Sequence, residues 1–113
     1  MDIAEILDQC QLLQHAVEET PFGPDTITMK VGGKIFAIIP LDTVRPQVTV
    51  KASPEHVLHL LESYADATQA PYMSKKHWVR LYTDGRIPRS VLMSCIQQSY
   101  QLVRDGLPKS ISL

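Results

Sequence analysis

The sequence has 113 residues, of which 44% are hydrophobic and 20% charged, and its formal net charge is -1. A chain of this length and composition can bury a core without disulfide or metal support, so residues 1–113 are expected to form one globular domain and the disordered and fibrous classes are excluded. No apolar run is long enough to span a bilayer, and MDIAEILDQCQLL lacks the basic start of a signal peptide, so we expect a cytoplasmic protein.

The first predicted element is an amphipathic helix over residues 3–19. Its apolar residues recur at the spacing of one helix face, and Asp2 followed by Glu5 has the pattern of a capping box. The segment PFGPD at residues 21–25 then predicts a rigid turn. Phe22 either packs beneath a helix or, if it is exposed, marks a contact surface.

A β-hairpin and a third strand are predicted next. Apolar and polar residues alternate over residues 26–31, Gly32-Gly33 supplies the positive φ angles of a two-residue turn, and residues 34–39 return as an apolar strand. Residues 47–51 predict a third strand, with Val48 and Val50 on one face.

The remaining elements are a short helix, a strand and a long helix. Ser53-Pro54 predicts the start of a helix over residues 54–64, residues 78–82 predict a strand, and Pro88 opens a helix that ends at Gly106. This order predicts an α+β two-layer sandwich, in which the N- and C-terminal helices cover one face of an antiparallel sheet and a short helix is inserted.

Six phrases of the chain together carry a resemblance. They are PFGPD at 21–25, KVGGKIFAI at 30–38, VKASPE at 50–55, KKHW at 75–78, DG at 84–85 and SYQLV at 99–103. In this order and spacing they resemble the MmcQ/YjbR family of small bacterial proteins over nearly the whole chain. The resemblance implies a fold similar to the frataxin-like, secretion-chaperone-like α+β sandwich. It also implies a proposed DNA-binding role, and no catalytic mechanism.

The resemblance places ten residues on the family's recurrent positions: Phe22, Gly23, Gly33, Lys34, Phe36, Lys51, Lys75, His77, Trp78 and Tyr100. There is one departure. Family members commonly read GYHMNK where this chain reads PYMSK, so a histidine is absent and Ser74 stands in place of an asparagine. A function that depends on that histidine or amide is not implied for this chain.

The stretch KKHWVR at residues 75–80 surrounds the only tryptophan with cations. Residues 1–25 contain six acids and no lysine or arginine, whereas residues 73–113 contain seven lysines and arginines and two acids. Cations neutralise phosphates, and an aromatic ring among them can stack on a base. We therefore predict a weak, salt-dependent DNA contact through a basic edge at residues 75–89, with these candidate residues: Lys75, Lys76, His77, Trp78, Arg80 and Arg86.

Two alternatives stay open beside DNA binding. If Val79 and Leu81 face the helices, Trp78 lies outside beside Arg80; if Trp78 is buried instead, this is an ordinary strand preceded by solvated lysines. His77 is then a structural histidine. The second function class is a protein-interaction module, which would hold a partner segment at a sheet edge or on the acidic first helix.

Catalytic and metal sites have less support in the sequence. No nucleophile, base and orienting residue occur at a recognisable spacing, and His56 and His59 lack the accompanying ligands of a metal site. Cys10 and Cys95 lack CxxC spacing and are expected to be buried thiols. We expect no cofactor. Gly32-Gly33-Lys34 lacks the P-loop pattern, although Lys34 at a hairpin tip could contact a phosphate.

Overall fold

The computed structural model describes residues 1–113 and contains three helices and one six-stranded antiparallel sheet. The elements are α1 Ile3–Gln11, β1 Val17–Glu19, β2 Thr26–Val31, β3 Lys34–Pro40, β4 Gln47–Lys51, α2 Pro54–Ser63, β5 Ala67–Gln69, β6 Trp78–Tyr82 and α3 Arg89–Asp105. The strand order is β1-β2-β3-β4-β6-β5. The α+β class predicted from the sequence is confirmed.

All three helices pack against one face of the sheet. α3 crosses β3 and β4, α1 packs beside α3, and α2 covers β5 and β6. Their apolar side chains join the inward residues of the strands in one core cluster. Near its centre the ring of Phe36 meets Tyr100 of α3 edge to face, with ring centroids 5.4 Å apart. The other face of the sheet has no helix over it.

The predicted extent of the first helix, residues 3–19, is wrong. α1 ends at Gln11, and the chain then reverses through His15, whose φ of 64° lies in the left-handed region. Residues Val17–Glu19 pair with β2 as an edge strand instead. Val17 fits the helical spacing of the apolar residues, but pairing with a strand distant in sequence outweighs that local signal.

The other local predictions agree with the structure. Asp2 and Glu5 form a capping box, and the Ser53 hydroxyl accepts the backbone N–H of His56 at the start of α2. Gly32 and Gly33 have φ angles of 56° and 80°, as the predicted hairpin turn requires. Strand β5 was not predicted, because its three residues are too few to show a period.

Both cysteines are free and buried, as the sequence predicted. Burial raises the pKa of the Cys10 thiol to about 12 and that of Cys95 to about 11. Both side chains therefore remain protonated thiols at neutral pH and serve as core residues. None of the helices combines the length and the apolar composition that crossing a lipid bilayer requires.

An ion-pair cluster closes the end of the sheet where β4 begins and β6 ends. Arg45 contacts Asp66 at 3.0 Å and Asp84 at 2.8 Å, and its guanidinium lies 4.3 Å from the centroid of the Tyr82 ring. Asp66 also accepts the backbone N–H of Arg86 at 2.8 Å. This hydrogen bond and then Arg45 lower the pKa of Asp66, and Arg45 lowers the pKa of Asp84.

The cluster predicts acid sensitivity. Because the folded-state pKa values of Asp66 and Asp84 are lowered, their stabilisation is present above the unfolded-state value near pH 4 and is lost as the pH falls through the folded-state values. We expect Tm, followed by circular dichroism, to decrease less over this acid range in Asp66→Asn than in the wild type. Asp42→Asn, which removes an exposed carboxylate outside the cluster, is the control. Parallel curves for all three proteins would contradict the prediction.

Candidate nucleic-acid interface

The open face of the sheet presents the polar and aromatic residues of β4 and β6. Val79 and Leu81 are fully buried towards the helices, whereas Trp78, Arg80 and Tyr82 lie on the other face and are half-buried. This alternation is the arrangement that the sequence predicted for an outward-facing Trp78. The register places Lys51 opposite Trp78.

Strands β3 and β4 separate at the end of the sheet near Lys51. They pair only at Ala37 with Val50 and at Ile38 with Thr49. Beyond this point the hydroxyl of Ser99, a fully buried residue of α3, joins the two strands. It donates to the carbonyl oxygen of Phe36 at 2.6 Å and accepts the backbone N–H of Lys51 at 2.8 Å. A helix side chain therefore bridges the two strands where their backbone pairing ends.

A pocket of about 480 Å³ opens at this separation. We call it the basic pocket, because Lys30, Lys34, Lys51 and Trp78 line it beside residues of α3. Lys30 is paired with Glu19 at 2.7 Å, and this is the one ion pair that involves any of these lysines. The ammonium groups of Lys34 and Lys51 therefore have no carboxylate of the chain to neutralise them.

Three of the predicted contact residues lie at the same end of the sheet. Lys75, Lys76 and His77 are exposed in the turn before β6, and the His77 carbonyl accepts the backbone N–H of Ala52, the residue after Lys51, at 2.9 Å. The β4–β6 pairing thus brings these cations next to the basic pocket. Together with the pocket they form what we call the basic end of the sheet.

Arg80 and Arg86 lie farther away. The guanidinium of Arg80 donates to the Thr68 hydroxyl at 3.0 Å and lies over the Tyr82 ring, in the middle of the open face. Arg86 follows the opposite end of β6, beyond a strand that spans roughly 13 Å from its first to its last residue. It lies beside the carboxylates of the ion-pair cluster, so the structure does not bring Arg86 together with Lys75, Lys76 and Trp78.

Sequence reasoning did not name Lys30 and Lys51 as contact residues. Both are polar residues that alternate with apolar ones along their strands, and this alternation in the sequence marks them as outward-facing. Their proximity to Trp78, however, depends on which strands are neighbours. Lys34 was predicted as a phosphate contact at the hairpin tip, and it lies at the rim of the pocket.

A second concavity of about 430 Å³, the aromatic groove, lies on the same open face. Phe22 and Tyr72 stand on its two sides, and Ile38, Gln47 and Thr49 belong to its floor. Phe22 is 67% exposed, so it is not packed beneath a helix and is the exposed residue of the second alternative.

Comparison with known proteins identifies relatives that are themselves called uncharacterized. The sequence model of the YjbR family matches residues 12–102. The chain is 35% identical over 89 residues to protein YbdF of Escherichia coli O157:H7, covering 79% of this chain and 73% of that protein. It is 29% identical over 109 residues to protein YjbR of Escherichia coli strain K12, covering 96% of this chain and 92% of that protein.

Solved structures agree with the fold. The crystal structure of Deinococcus radiodurans protein DR2400, assigned to domain DUF419, matches with a TM-score of 0.90 at 26% identity, over 97% of this chain and 84% of that one. A Pseudomonas syringae protein matches with a TM-score of 0.79 at 22% identity, over 92% of this chain and 100% of that one. At this identity the match shows similarity of fold alone. The residues matched by the family model include all six strands and Ser99.

Proposed function

This chain belongs to the YjbR family, and we propose that it is a DNA-binding module that holds the phosphate backbone at the basic end of the sheet. The observation that carries the proposal is the basic pocket, where Lys34 and Lys51 share one concavity with Trp78. Lys75, Lys76 and His77 extend this surface. The proposed site keeps most of the residues predicted from the sequence, among them Lys34 at the hairpin tip, and adds Lys30 and Lys51.

The distribution of ion pairs supports this choice of surface. Arg45 and Arg89 are bound to carboxylates within the chain, and Arg104 donates to the hydroxyl of Tyr100. Lys34 and Lys51 take part in no such pair. Unpaired cations at one end of a sheet repel one another and attract an anion, and phosphate is the anion that lysines commonly bind as point charges.

The same chemistry sets the expected specificity. Lysine contacts to phosphates fix the position of a protein on DNA but carry no sequence information, so we propose binding that tolerates many sequences. Four phosphate contacts on duplex DNA imply an affinity loss of roughly 100-fold between about 50 and about 200 mM salt. Affinity is therefore weak at physiological salt.

The alternative of a partner strand added to a sheet edge has less structural support. The two edge strands, β1 and β5, have three residues each, and β1 carries Glu18 and Glu19. Short and charged edges are typical of sheets that resist pairing with another chain. The lengths and charges of the edges therefore favour the basic end over a sheet edge as the binding surface.

Fluorescence anisotropy of a labelled short DNA duplex at low and at near-physiological salt tests the proposal. We expect steeply salt-dependent binding, and we expect two double variants, Lys34→Ala with Lys51→Ala and Lys75→Ala with Lys76→Ala, each to decrease the salt slope by about 2. Arg86→Ala, which removes an exposed cation beyond the opposite end of β6, is the control and should bind as the wild type does. Absence of binding at low salt, or double variants that match this control, would refute the proposal.

A further inference from the structure

We infer that the aromatic groove receives an unpaired base of a DNA strand whose phosphates lie on the basic pocket, so that the protein prefers single-stranded DNA to duplex DNA. The inference rests on the proposed function and identifies its ligand more closely. Lysine contacts alone would hold either form of DNA, whereas a groove that takes a base favours a strand whose bases are free.

The pocket and the groove are parts of one surface. On β4, Gln47 and Thr49 belong to the groove and Lys51 belongs to the pocket; on β3, Ile38 belongs to the groove and Ile35 to the pocket. Residues two apart on a strand share a face and are separated by about 7 Å. The step from Thr49 to Lys51 is therefore comparable with the distance between a base and the phosphate of its own nucleotide.

The groove has the chemistry of a base site. Phe22 and Tyr72 offer aromatic faces on its two sides, and stacking on such faces suits every base because each base has a π-face. The Gln47 amide and the Thr49 hydroxyl at the floor take no part in a hydrogen bond within the chain, and neither is a buried unsatisfied group. They are therefore available to the polar edge of a base, which a purely apolar ligand would leave unmatched.

Phe22 and Tyr72 lie on loops with different backbone features. The turn that carries Phe22 is fixed by three backbone hydrogen bonds, from Gly23 to Thr20, from Thr26 to Gly23 and from Leu41 to Asp25, and Gly23 adopts a φ of 108° that suits glycine. Tyr72 is fully exposed and has a φ of 62°, which is unusual for a bulky residue. The Phe22 ring therefore stands on a hydrogen-bonded turn, and the Tyr72 ring is open to solvent, where a base can reach it.

The test compares a labelled single strand of thymidines with the same strand annealed to its complement, both at low salt. We expect the wild type to bind the single strand more tightly. Phe22→Ala and Tyr72→Ala should each weaken single-strand binding by about 5- to 150-fold, the range for loss of one stacked base, and should leave duplex binding unchanged. Leu58→Ala removes an apolar side chain about as exposed as Phe22 from α2, on the helical side of the sheet, and should change neither affinity.

The outcomes separate this inference from the proposed function. Equal affinity for both DNA forms would overturn the base site. So would Phe22 and Tyr72 variants that retain full single-strand affinity while the lysine variants lose it. Either result would still be compatible with phosphate binding at the basic end. Failure of either DNA form to bind the wild type would overturn both. Because Phe22 and Tyr72 are exposed, their alanine variants should fold, which circular dichroism verifies.

Discussion

Replacement of Ser99 by alanine is expected to lower the free energy of unfolding by about 2–4 kcal/mol, measured by urea denaturation. The substitution removes one oxygen atom, yet it leaves two backbone groups without a partner: the carbonyl of Phe36 and the N–H of Lys51. Leaving a buried donor or acceptor unsatisfied costs more than a typical hydrogen bond contributes. Ser99 is fully buried and so is its hydrogen bond to Phe36, so the Phe36 carbonyl in particular is left unsatisfied in the core.

Ser94→Ala is the matched control for Ser99→Ala. Ser94 lies on the same helix, and its hydroxyl accepts a hydrogen bond from the side chain of Gln98 at the surface. Its replacement should leave stability nearly unchanged, since alanine favours helix and an exposed side-chain bond contributes little. Equal stability of the Ser99→Ala and Ser94→Ala variants would contradict the role assigned to Ser99. Faster amide exchange at Lys51 in Ser99→Ala would support it.

Reversal of charge in the basic pocket should have the largest effect on binding. In the double variant Lys34→Glu with Lys51→Glu, two attractive contacts become repulsive, and DNA affinity at low salt is expected to fall by about 100-fold or more. The pocket contains no carboxylate partner of Lys34 or Lys51 that would be disturbed, so the variant should fold and keep its Tm within a few degrees. Anisotropy and a thermal melt measure both results.

Arg86→Glu with Val44→Glu and Ser90→Glu changes the net charge by the same amount at exposed positions near the opposite end of the sheet, and it leaves Lys34 and Lys51 in place. This control separates the contribution of local contacts from the attraction of the whole molecule for DNA. If binding depends only on net charge, both charge variants should lose affinity equally, and that result would contradict a defined phosphate site. A much larger loss in the Lys34 and Lys51 variant supports the site.

The sequence was sufficient for those features that depend on neighbouring residues. The capping box at Asp2 and the Gly32-Gly33 turn are each encoded within a few positions, and both are present in the structure. For Trp78 the sequence left two orientations open, and the structure has the outward one. Local periodicity also gave one wrong prediction: Val17 fits the apolar spacing of the first helix, but that helix ends at Gln11. Val17 instead pairs with Lys30 of β2, a contact between strands that local spacing does not indicate.

The candidate site itself depends on strand order, which local patterns do not reveal. Lys51 and Trp78 are 27 positions apart and become neighbours because β4 pairs with β6 across the inserted α2. The same pairing sends Arg86 to the far end of the strand, although it is close in sequence to Lys75 and Lys76. Ser99 can bridge β3 and β4 only because α3 lies over the point where these strands separate. No pattern within SYQLV indicates that position, so the role of Ser99 could not be predicted from the sequence.

The most direct test of the phosphate grip uses Trp78, the only tryptophan of the chain, as its own reporter. Titration of the unlabelled wild-type protein with DNA at several salt concentrations measures the change in Trp78 fluorescence and the dissociation constant together. If the basic end holds phosphates, binding changes the charge and hydration around Trp78, which lines the basic pocket, and so changes its fluorescence. The logarithm of affinity then falls with the logarithm of salt with a slope between about -2 and -4. Unchanged fluorescence, or a fluorescence change whose salt slope is near zero, would contradict the account.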